Sequence, residues 1–90
     1  MDLPHAILTD HAGLQLARRG LSTDQVRGVL RAPQQIVAMR EGRIIAQAVV
    51  QMGQPPGPYL LRVVLDVDRE PPEVVTAYRT SKIEKYWSEP

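Results

Sequence analysis

The sequence contains no cysteine, so neither disulfides nor a thiolate metal site can hold the fold, and an apolar core must suffice. It also lacks any apolar run approaching the roughly 18 residues of a membrane helix. Its start, Met-Asp-Leu-Pro-His, has neither the basic residues nor the apolar stretch of a signal peptide. A cytoplasmic protein with no membrane contact is the expectation. Charge of one sign is missing as well: the formal net charge is +1, so the chain has no global basic excess and any RNA contact has to be local. Nine of the eleven basic residues are arginine, whose planar fork matches phosphate, although codon usage alone produces the same bias. Phosphate loops, dinucleotide fingerprints, metal-ligand clusters, repeats and low-complexity segments are all absent, and no cofactor or metal is expected.

What is present suits one folded domain over residues 1–90, because 43% apolar and 23% charged residues place the chain among globular proteins. A chain of this size has no surface to spare for a second core, so a single site is expected. Asp2, Pro4 and the last few residues are expected to lie outside the core, and His5 with them.

Thr9 and Asp10 cap a helix running to Arg19, with Gly20 as its left-handed stop. Ser22 opens a second helix through a capping box to Gln25, with Leu21 and Val26 as a hydrophobic staple and Val26, Val29 and Leu30 as its buried stripe. Pro33 ends it. The period then changes to two: residues 36–39 and 44–52 flank a turn at Glu41 and Gly42 and form a hairpin. The stretch GQPPGP at 53–58 reads as a surface loop before a strand over 59–67, and a turn at 68–72 leads to a strand over 73–78. Ser81 is expected to cap a short final helix in a second capping box with Glu84, with Ile83, Tyr86 and Trp87 packing inward. The fold class is α+β: two N-terminal helices, a four-stranded antiparallel sheet and a short C-terminal helix.

Strand alternation sorts the faces. Leu61, Val63 and Leu65 share one face, and Arg62, Val64 and Asp66 the other. Val75 and Ala77 suit the core, which turns Thr76 and Tyr78 away from it. Ile44, Ala46, Ala48 and Val50 point inward, and Gln47 outward. Gln47, Arg62, Thr76 and Tyr78 therefore line one open surface, able to hold an anion or a nucleotide. The same surface also reads as the ordinary solvated side of an antiparallel sheet. His11 stands in the first helical turn with Gln15 and Arg18 one turn apart behind it. It is a candidate general acid or base, or a surface histidine. Thr80 and Ser81 offer hydroxyls and Lys82 and Lys85 offer cations near the last helix, where solvated charges beside Glu84 are the alternative.

The segments TDHAGLQLARRGLSTDQVRGVLRAP and LLRVVLDV…VVTAYRTSKIEKYW, within residues 8–87, resemble a family of small bacterial proteins of unassigned function, of the DUF4258 type, that groups with the RelE/ParE toxins. The resemblance implies a barnase/RelE-like fold and cleavage of RNA, on ribosomes in some relatives, by attack of the substrate's 2′-hydroxyl without metal. It implies catalytic roles for His11, Arg62, Tyr78, Thr80 and Lys82 and substrate contacts from Arg18, Gln47, Thr76, Arg79 and Ser81. An antitoxin protein would be the partner beside RNA. Other relatives act on a protein target, and a non-catalytic binding module for nucleic acid or protein is the alternative on the same fold.

Overall fold

The computed structural model describes residues 1–89. Local signals set both N-terminal helices. In α1 (Asp10–Arg18) the Thr9 hydroxyl accepts the Ala12 N–H at 3.1 Å, and Gly20 at φ 70° closes the helix in the left-handed region that glycine tolerates best. In α2 (Thr23–Arg31) the capping box of Ser22 and Gln25 is complete, at 3.1 and 2.8 Å.

Four strands follow: β1 (Gln35–Arg40), β2 (Arg43–Met52), β3 (Gly57–Asp66) and β4 (Glu73–Thr80). They form an antiparallel meander in the order β1-β2-β3-β4, and a short helix α3 (Ile83–Tyr86) closes the chain. The class is α+β. The hairpin turn uses Gly42 at φ 79°. The β2–β3 ladder reaches Met52 and Gly57, so the strands run further into the glycine- and proline-rich segment than its composition suggests.

α1 and α2 lie on one side of the sheet. Leu16, Leu21, Val26, Val29 and Leu30 pack there against Ala46, Ala48, Leu61, Val63, Leu65, Val74 and Ala77. Each fully buried leucine contributes about 1.5–3 kcal/mol through removal from water. The residue of β4 that enters this core is Val74 and not Val75: a bulge opposite Val64 and Leu65 shifts the alternation by one position.

The N-terminal segment is also part of the core, since Leu3 and Ala6 are buried in it. Arg27 of α2 fastens this segment by donating from Nη1 to the Ala6 carbonyl at 2.6 Å. Ile7 then bridges to the start of β4, and Arg19 donates to the Ala77 carbonyl and the Thr76 hydroxyl, at 2.8 and 3.1 Å. These contacts occupy part of the β4 edge, where unpaired backbone groups would otherwise invite another strand.

Candidate functional site

The antiparallel register aligns one side chain from each strand on the face away from α1 and α2. Gln35 pairs with Gln47, Gln47 with Arg62, and Arg62 with Tyr78, giving a polar row across the whole sheet. It is hydrogen-bonded throughout. Gln47 Nε2 donates to Gln35 Oε1 at 2.8 Å, Arg62 Nε donates to Gln47 Oε1 at 2.8 Å, and Arg62 Nη1 donates to the Tyr78 hydroxyl oxygen at 2.6 Å.

The expected open surface is corrected here: Gln47 is 0% and Arg62 only 7% exposed. The cover is the chain's own end. The Tyr86 ring lies 4.6 Å from the Arg62 guanidinium carbon, and its carbonyl accepts from Gln47 Nε2 at 3.1 Å. Ser88 completes the roof in a paired bond with the Gln35 amide, donating its N–H to Oε1 at 3.0 Å and accepting from Nε2 at 2.7 Å. Alternation identifies the face that is not the main core, but a sheet face has room for a second layer, and here residues 83–88 supply it.

Arg62 has no carboxylate partner among the described residues, and its Nη2 makes no hydrogen bond there. Its charge is met by the faces of Tyr78 and Tyr86, at 5.6 and 4.6 Å, and by two neutral acceptors. The guanidinium is thus held in a fixed orientation without a counter-charge among the described residues. The far end of the same face is different. There Arg43 and Asp66 form a two-bond pair at 2.7 and 3.2 Å. The hydrogen bond from Arg43 holds the Asp66 carboxyl below its ordinary range, against an opposing push from burial.

The other candidate residues divide by position. Tyr78, Thr76 and Thr80 share the Arg62 face of β4. Arg79 points to the opposite face, over the Tyr59 ring at 5.2 Å. His11 is exposed on α1, in the layer on the other side of the sheet, with Gln15 as its hydrogen-bond neighbour at 3.2 Å. The structure therefore does not bring His11 to Arg62. Arg18 is exposed on that same helix. Ser81 does not cap α3: Lys82 is the N-cap residue without a side-chain bond, and the Thr80 hydroxyl takes the Lys82 N–H at 3.1 Å instead. Ser81 and Lys82 line an open hollow of about 460 Å³ with Ile83, Glu84 and Lys85.

Sequence reasoning missed Gln35, because it started the first strand one residue late. It also missed Arg19 and Arg27, whose carbonyl acceptors are remote in the chain. Among the described residues no group of three or more His, Cys, Asp and Glu side chains is placed to hold a metal ion. No helix among them is long and apolar enough to cross a membrane.

Comparison with curated proteins and with solved structures gives no match. A family model does match residues 8–79, which include Gln35, Gln47, Arg62 and Tyr78 and stop short of the segment that roofs them. The chain belongs to the family of the domain of unknown function DUF4258.

Proposed function

We propose that the domain binds RNA, with Arg62 as the contact to the phosphodiester backbone, as a module related to the RelE-type toxins. The observation that carries this reading is the Arg62 cation, buried, oriented by Gln47 and Tyr78, and unmatched by any carboxylate among the described residues. A charge taken from water without an ion partner costs several kcal/mol, and an incoming phosphate offsets that cost through a charge-assisted bond. With a net charge of only +1, the affinity resides in this local contact and not in a general basic field.

A toxin-type, metal-independent endoribonuclease is the second reading, and the Tyr78 hydroxyl at 2.6 Å from Arg62 favours it. It sets one proton-carrying group beside the phosphate clamp, as the donor to the departing 5′-oxygen when the 2′-hydroxyl attacks phosphorus and gives its own proton to solvent. In this reading the proton-transfer role moves from His11 to Tyr78, since the imidazole stands across the sheet. The partner is RNA, free or on ribosomes, with an antitoxin protein as the regulator.

Anisotropy titration of a labelled single-stranded RNA tests binding: Arg62→Ala lowers the affinity by about tenfold or more, and His11→Ala leaves it unchanged. Equal affinity of wild type and Arg62→Ala overturns the proposal. The same samples incubated with chelator decide between the readings. Cleavage yields 2′,3′-cyclic phosphate ends and falls by about two powers of ten in Tyr78→Phe, whereas intact RNA identifies the binding module.

A further inference from the structure

The chain's own terminus shows what the polar row accepts. Three contacts hold it: an aromatic ring on the face of the Arg62 guanidinium, a carbonyl on the Gln47 amide, and a donor–acceptor edge read by both atoms of the Gln35 amide. A nucleobase presents all three on one planar fragment, with a π-face, a ring or exocyclic acceptor, and a neighbouring N–H. From this we infer that Gln35, Gln47 and Arg62 form a nucleobase subsite, occupied in this structure by residues 83–88 in place of a base. The inference rests on the RNA-binding reading above.

Four observations support it. The roof is thin, since α3 has four residues, no side-chain cap and no fully buried residue. Its polar bonds to Gln35 and Gln47 go through backbone atoms of Tyr86 and Ser88, two acceptors and one donor, which are the atom types a base edge also offers. Beside it, Val49, Ile83, Glu84, Trp87 and Glu89 border a shallow cleft of about 220 Å³, so residues 83–88 do not fill the surface they lie on, and a base enters here with its phosphate turned toward Arg62 and away from the two acids. Finally, Nη2 of Arg62 makes no hydrogen bond among the described residues while the guanidinium face is stacked, which leaves an edge for the phosphate attached to the stacked base. This last point favours a ligand with an anion attached beside its planar ring, as in a nucleotide, over an uncharged peptide segment such as Tyr-Trp-Ser.

The test uses the full-length chain and short single-stranded RNAs of one sequence, intact or with one abasic position moved along the strand. Trp87→Ala loosens the roof and raises the affinity for the intact RNA. In that background Gln35→Ala lowers it again, and one abasic position costs about tenfold, the scale of one lost base stack. The abasic RNA leaves the protein unchanged, so its result stands even if a variant folds poorly. An Arg62-dependent affinity that is indifferent both to the abasic position and to Gln35→Ala overturns the subsite and leaves RNA binding intact. An affinity indifferent to Arg62→Ala overturns both proposals, as does capture of a Tyr-Trp-Ser peptide with no response to RNA.

Discussion

The two faces of the sheet are closed by opposite means. Toward α1 and α2, the aliphatic side chains of Ala46, Leu61, Val63, Leu65 and Ala77 are buried under two helices with complete N-caps. Toward the C-terminus, buried Gln47 and Arg62 and half-buried Gln35 and Tyr78 form a hydrogen-bonded row beside the buried aliphatic side chains of Ile45, Leu60 and Val64, under one turn of helix without a side-chain cap. Apolar contact is non-directional, so it stabilises whatever fills the volume. Hydrogen bonds satisfy any partner that offers the right atoms in the right place, and their net contribution is small because water competes for the same groups. Similar burial thus has two meanings here. The helix face holds the domain together, and the hydrogen bonds of the tail face are the part on which the proposed RNA reading draws.

The largest effect that separates the faces is on stability. Leu61→Ala removes a side chain with 0% exposure from the helix face and is expected to cost about 2–5 kcal/mol in denaturant unfolding. Gln47→Leu on the tail face keeps the volume but strands Arg62 Nε and loosens Gln35 and the Tyr86 carbonyl. The expected cost is about 1–3 kcal/mol, the penalty for unsatisfied buried polar groups. Tyr86→Ala takes away only a half-buried ring on the guanidinium, for about 1 kcal/mol or less. A Tyr86→Ala loss as large as that of Leu61→Ala breaks the comparison, because the tail would then be a second core. The reverse result, a fully folded Tyr86→Ala protein with higher RNA affinity, sharpens it.

The sequence made the helix face readable and the tail face half readable, for physical reasons. Helix caps, the hydrophobic staple and strand alternation are local, so the roles of Thr9, Ser22 and Leu21 follow from spacing alone, and the shared face of Arg62 and Tyr78 follows from alternation once the register between the strands is set. The bulge that exchanges Val75 for Val74 is a two-against-one mismatch between β3 and β4, and alternation within a single strand carries no trace of it. The roof was hidden for a related reason. The inward pattern of Ile83, Tyr86 and Trp87 marks a packed helix but not the face it covers, and its hydrogen bonds to the row go through backbone atoms of Tyr86 and Ser88, which every residue possesses. His11 shows the converse error. Its helical position was legible, but the side of the sheet on which the helix packs is a tertiary property, and that side is the wrong one for contact with Arg62.

The smallest expected effect divides the tail face itself. At one end Asp66 accepts two bonds from Arg43, and at the other Arg62 has no acid among the described residues. The Arg43 hydrogen bond holds the Asp66 carboxyl below its unfolded value, opposed by burial and assisted by the charges of Arg43 and Arg69. A depressed carboxylate binds its proton more readily in the unfolded chain. Its contribution is therefore complete above the ordinary carboxylate value of about 4 and is lost as the pH falls from there through the folded-state value. Melting temperature followed from neutral pH into acid is expected to drop in this window for the wild type and to drop less steeply for Asp66→Asn. Arg62→Met is expected to leave the steepness of the acid limb unchanged, because the row it belongs to contains neither a carboxylate nor a histidine. An acid limb flattened by Arg62→Met would mean that a carboxylate supports Arg62 after all, and the unmatched cation on which the RNA reading rests would be gone.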